Sequence, residues 1–113
     1  VDAQSRWQHL AAEAHQLTST SSGMAWEQQM IQTHNAFWAQ IVKACEPEAK
    51  AASITSFNAI ASIDSSGGVT EFLTNPESPA LQCFSKQMIG RKYPSPPESP
   101  FYEFYTIDLN AGS

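Results

Sequence analysis

From Ala3 to Leu17 the apolar residues Trp7, Leu10, Ala14 and Leu17 return at steps of three and four, which places them on one face of a helix. The polar run Thr18 to Ser22 interrupts it. A second helix is predicted from near Gly23 to Cys45, where Trp26, Met30, Phe37, Ile41 and Cys45 form a stripe widened by Ile31, Trp38 and Val42. Glu46-Pro47 should end that helix, because a residue before proline avoids the helical region and the ring removes a donor.

The period then changes from a helical to a two-residue rhythm. Between Ile54 and Asp64, Phe57, Ala59, Ala61 and Ile63 alternate with Asn58, Ile60 and Ser62, as in a strand with one buried face. Asp64-Ser65-Ser66-Gly67-Gly68 supplies turn residues, with Asp64 as the capping carboxylate, and Val69 to Thr74 resumes strand character, so the two segments predict a hairpin. Ser78 offers an N-cap with Pro79 at the first helical position, opening a helix in which Leu81, Phe84 and Met88 share a face before it stops near Gly90. Tyr93-Pro94-Ser95-Pro96-Pro97 reads as an extended connector, and Phe101 to Asn110, rich in Tyr, Phe, Thr and Ile, as a last strand.

The order α-α-β-β-α-β predicts an α+β, two-layer domain: a three-stranded antiparallel sheet with helices packed on one face. Residues 1–22 are expected as an N-terminal helical extension and 23–113 as one domain. With 113 residues the chain has room for no second domain, and folding should remove roughly two-thirds of its accessible surface. So small a core would gain from a covalent tether.

The chain holds two cysteines, Cys45 and Cys83, compatible with a reduced pair or with one bridge. Neither lies in a CxxC motif or at metal-ligand spacing from another Cys or His, which favours a structural disulfide and therefore an oxidising space such as a bacterial periplasm. A bridge needs Cα atoms within about 7 Å, so the two helices carrying these cysteines should share a sheet face. Alternation then sends Ile60, Phe72 and Phe104 to the opposite face, either as a contact surface for a partner or as the bed of the N-terminal helix or of another molecule.

Charge narrows the partners. With 6 basic against 11 acidic side chains the net charge is −5, and the basic residues Lys86, Arg91 and Lys92 form the one cluster, so nucleic acid is not an expected partner. No apolar run is long enough to span a bilayer, so membrane insertion of this chain is not expected either. The chain begins at Val1 without a basic or apolar leader, a start that removal of a signal or anchor segment and cloning would both give.

Catalytic chemistry is hard to place. His9 and Glu13 are four apart and read as a surface pair; His34, between Met30 and Phe37 on the apolar stripe, reads as a hydrogen-bonded core or boundary residue. Trp7, Trp26 and Trp38 read as core, and Gly67-Gly68 lies between strands and not in a phosphate-cradling loop. No catalytic residue, metal ligand or cofactor is assigned.

The C-terminal half nevertheless has a familiar look. Ile60-Ala61-Ser62-Ile63-Asp64-Ser65-Ser66-Gly67-Gly68-Val69-Thr70, read as strand, glycine turn and strand, resembles the periplasmic C-terminal domains of TonB and TolA. Ser78-Pro79-Ala80-Leu81-Gln82-Cys83 is similar to the corresponding TolA helix, with a cysteine early in it, and Arg91-Lys92-Tyr93-Pro94-Ser95-Pro96-Pro97 to the basic-aromatic-proline exit of both families. Phe37 to Cys45 resembles the amphipathic helix before the TolA hairpin. The likeness covers roughly half to two-thirds of the chain. Here, however, the first cysteine ends a helix instead of sitting in the first strand, and the chain carries no long spacer or anchor.

The resemblance implies a small envelope domain of a Gram-negative cell that binds another envelope or secreted protein, without enzymatic activity, as a monomer or weak homodimer. A three-stranded sheet supplies a physical route, since its edges offer unpaired N–H and C=O groups to an incoming strand. The last strand is the expected edge, with Ile60, Phe72, Phe101, Tyr102, Phe104 and Tyr105 as candidate partner-binding residues; Glu103 and Asp108 are the alternative, charges that keep a solvated edge from aggregating. An immunity or inhibitor protein that blocks a toxin or hydrolase is a second reading, and a small hydrolase or ligand carrier using His34 in a deep pocket a third.

Overall fold

The computed structural model describes residues 3–111. Helices α1 (Ala3–Thr18) and α2 (Ser21–Ala51) precede strands β1 (Ser56–Ile63) and β2 (Val69–Asn75); a 3-10 turn, Pro79–Leu81, leads into helix α3 (Gln82–Met88), and strand β3 (Phe101–Asp108) follows. The sheet is antiparallel in the order β2-β1-β3, so β1 is central and the last strand lies at an edge. This is the α+β class, with the element order and the three-stranded sheet that the hydrophobic pattern predicts.

The joint between α1 and α2 is tight. Thr20 caps α2 by accepting from the Gly23 N–H at 3.0 Å, and a Cβ at Gly23 would collide with the Leu17 carbonyl, so only glycine lets α1 end where it does. α2 does not stop at Glu46-Pro47 as expected but continues to Ala51. Proline removes one ladder donor. Cys45 and Ala49 on either side are fully buried, and Cys45 is bonded to Cys83, so packing on both flanks offsets that loss. The helix closes where the N–H groups of Ala52 and Ser53 reach Ala49 and Lys50, with Ser53 in the left-handed region at φ 63°.

The hairpin between β1 and β2 turns on Asp64. Its Oδ1 accepts from the N–H groups of Ser66 (3.0 Å) and Gly68 (2.9 Å) and from the Ser66 hydroxyl (2.7 Å), which holds the exposed carboxyl below its usual range. Gly67 takes φ 90°, and any Cβ there would strike the Tyr93 carbonyl. Ser78 accepts from the Ala80 N–H at 3.2 Å with Pro79 behind it, the start expected for the third helical segment.

On the front of the sheet, Phe57, Ala59, Ala61 and Ile63 of β1, Phe72 of β2, and Phe101, Tyr105 and Ile107 of β3 pack against Trp26, Met30, Ile41, Val42, Cys45 and Ala49 of α2 and Phe84 and Met88 of α3. The Cys45–Cys83 disulfide joins the two helices there, with Cα atoms 5.4 Å apart. α1 occupies the back. Its Trp7 and His15 rings lie 5.9 and 5.1 Å from the Phe104 ring, Arg6 grips Glu71, and Leu10, Ala14 and Ile60 are buried beneath it. The sheet is therefore covered on both sides, and α1 packs as part of the domain. Leu10→Ala should lower the unfolding free energy by about 2 kcal/mol in a urea titration, because it opens a cavity in this thin back layer; an unchanged midpoint would mean α1 contributes nothing.

Candidate functional site

The direction of each backbone group in the sheet follows from two turns. The Asp64 N–H donates to the Gly68 carbonyl, so the even-numbered residues of β1 face β2 and the odd-numbered ones face β3. Leu109 N–H to Thr55 carbonyl, 2.7 Å, keeps the same parity at the other end. In β3, Phe101, Glu103, Tyr105 and Ile107 thus spend their N–H and C=O groups on β1. Those of Tyr102, Phe104, Thr106 and Asp108 point away from the sheet. Among the described residues, no further backbone–backbone hydrogen bond reaches this outer rim.

The candidate residues divide accordingly. Phe101 and Tyr105 are in the front core and Ile60 is buried under α1, so their side chains are not available to a partner. Tyr102 and Phe104 are half-buried on the back, where Phe104 rests against α1. Of the two readings of the face carrying Ile60 and Phe104, the contact surface is corrected and the bed of the N-terminal helix holds, since α1 fills it; Phe72 lies on the other side. The cause of the Phe72 error is a β-bulge, a register shift between Ser62 and Ile63 that pairs Phe72 with Ala61 instead of Ile60. What remains open on β3 is its backbone.

Glu103 does not guard that edge. It points to the front, is 6% exposed, and its Oε1 has no hydrogen-bond partner among the described residues. Burial, reinforced by the charge of Glu27 on α2 and by the bond the protonated acid donates to it, pushes its carboxyl up to about 9. Beside it the Tyr105 and Tyr93 hydroxyls lie 2.9 Å apart, and Tyr93 reaches His34 Nδ1 at 2.9 Å. Desolvation raises both phenols well above their ordinary range and lowers His34 to about 4. His34 is thus a neutral ring at pH 7, stacked on Trp38 at 4.9 Å, and Trp26 closes the row by donating to the Pro94 carbonyl at 2.8 Å. The row Glu27, Glu103, Tyr105, Tyr93, His34 joins α2 to β3 and to the connector. Its signal in the sequence was the parity of Glu103 with Phe101, Tyr105 and Ile107.

The remaining candidates are peripheral. His9 Nε2 lies 3.7 Å from Glu13 on the surface, Arg91 sits 4.9 Å over the Phe37 ring, and Lys92 donates to Ser66 Oγ at 2.7 Å. Surface cavities of about 810 and 390 Å³ are lined by residues other than His34. Among the described residues no cluster of His, Cys, Asp or Glu suits a metal ion, and no helix is long and apolar enough to cross a membrane. In comparison with known proteins, no family model, curated protein or solved structure matches the chain.

Proposed function

We propose that this protein is a non-enzymatic interaction module of the TonB/TolA C-terminal kind, which recruits another polypeptide by strand addition to the outer rim of β3. One observation carries the reading: an edge strand whose alternate residues, Tyr102 to Asp108, present backbone donors and acceptors with no backbone partner among the described residues. The disulfide supports an oxidising compartment such as the periplasm. The state of His34 supports a binding role over a catalytic one, since a ring held neutral and bonded to Tyr93 is a weak general base at pH 7.

The test is a proline at Thr106. Its side chain is exposed and its N–H faces outward, so Thr106→Pro removes a rim donor while leaving the β1 pairing in place. Co-purification from envelope extracts should recover a partner with the native chain and lose it with Thr106→Pro at unchanged circular dichroism. Equal recovery with both would contradict strand addition at β3.

A further inference from the structure

The opposite edge of the sheet has a different character. The first part of β2 is already closed, since the Val69 N–H donates to Arg91 and its carbonyl accepts from Gly90, both at 2.9 Å. Farther along, Phe72 and Thr74 pair with Ala61 and Ala59, so their backbone groups face outward by the same parity. The Phe72 carbonyl accepts from Ser85 Oγ at 2.9 Å. Left over are the Phe72 N–H and both backbone groups of Thr74.

These groups do not face open water on a flat rim. They lie along a groove of about 810 Å³, walled by Arg6 and Trp7 of α1 on one side and by Ser78, Gln82 and Ser85 on the other. A volume of this size lies in the range of sites that take a small ligand or a short extended segment. Two charged side chains, Arg6 and Glu77, line it, and they differ in how they are paired. The Arg6 guanidinium is spent on Glu71 through bonds of 2.9 and 2.7 Å, whereas Glu77 lines the groove with no ion pair among the described residues, in a chain of net charge −5.

We propose that this groove binds an extended, basic peptide segment, which pairs its backbone with Phe72 and Thr74, lays an apolar side chain between Trp7 and Leu73, and sets a lysine or arginine against Glu77. The site is separate from the β3 rim, so on this proposal the domain holds two strand-accepting edges of unlike selectivity: one long and open, the other short, walled and marked by one unpaired carboxylate.

The probe is a fluorescein-labelled peptide of alternating valine and threonine flanked by lysines, with a twin flanked by glutamates. Fluorescence anisotropy should show binding of the lysine peptide, with Glu77→Lys weakening it roughly fivefold and favouring the glutamate twin. Gln82→Trp, which fills the groove from its wall, should abolish binding, and Thr74→Pro should weaken it about tenfold by removing a donor. Thr106→Pro should have no effect. Equal affinity for the two peptides, no binding at millimolar peptide, or binding that survives Gln82→Trp would overturn the proposal. So would loss in Thr106→Pro alone, which would move the peptide to β3 and leave the first reading standing. Self-association abolished by Gln82→Trp would give the groove to a second copy and equally overturn it.

Discussion

Reducing the Cys45–Cys83 bond should cost this domain about 4 kcal/mol by the chain-entropy argument for a loop closed across 38 residues. Against the total of roughly 5 to 15 kcal/mol that holds a domain of this kind together, that is between a quarter and most of its stability. The location adds to the effect. Cys45 is fully buried at the point where α2 carries a proline two residues later, and the bond ties α2 to α3 over the front of the sheet. In urea titrations with and without dithiothreitol, the reduced form should unfold more than about 1 M earlier. The Cys45→Ala, Cys83→Ala double variant should behave like the reduced protein and be insensitive to reductant. Coincident curves for oxidised and reduced chains would show that side-chain packing alone holds the helices, and would remove the argument for an oxidising compartment.

The second large effect is a dependence of stability on alkaline pH. Glu103 binds its proton more tightly when folded than when unfolded, so the stability this provides is fully present below its unfolded pKa, near 4.5, and is lost as pH rises toward about 9. His34 works in the opposite sense. Its folded value lies below its unfolded one, so its contribution is present above about 6.5 and is lost as pH falls toward 4. The two trends oppose each other between about 4.5 and 6.5; above that range only Glu103 acts, and stability should fall by roughly 1 kcal/mol per pH unit. Glu103→Gln keeps a neutral donor toward Glu27 without a proton to lose. This variant should be flat from pH 6.5 to 9 and more stable than the native chain at pH 8.5. Parallel curves for the two proteins would place the charge of Glu103 in water.

Much of the architecture was legible because burial followed simple periods. The stripe of Trp26, Met30, Ile41 and Cys45, the alternation from Phe57 to Ile63 and the caps at Ser78 and Asp64 all stand in the structure where local chemistry puts them, whereas Ile31, expected to widen the stripe, is exposed. The failures have physical causes of their own. Pro47 broke a local rule that tertiary burial of Ala49 overrides. Phe72 changed face because one bulged residue shifts every later side chain of β2, and no residue in Val69 to Thr74 announces it. Glu103 reads as a solvated charge because acidic residues are rarely buried, although its alternation with Phe101, Tyr105 and Ile107 points inward.

The site was legible only in part, because an edge is a property of strand order and not of sequence. Side-chain identity suggested Phe101 and Tyr105 as contacts, yet both are needed by the core, and what β3 offers outward is its main chain. Such an edge has no residue signature beyond the exposed Thr106 and Asp108.

Residue-resolved amide hydrogen exchange on the isolated protein tests the open edge most directly, since it needs no partner. The amides of Glu103, Tyr105 and Ile107 should be protected, and those of Phe104, Thr106 and Asp108, between and beside them, should exchange quickly. Uniform protection from Tyr102 through Asp108 would mean that the rim is already occupied and that strand addition there has no room to occur.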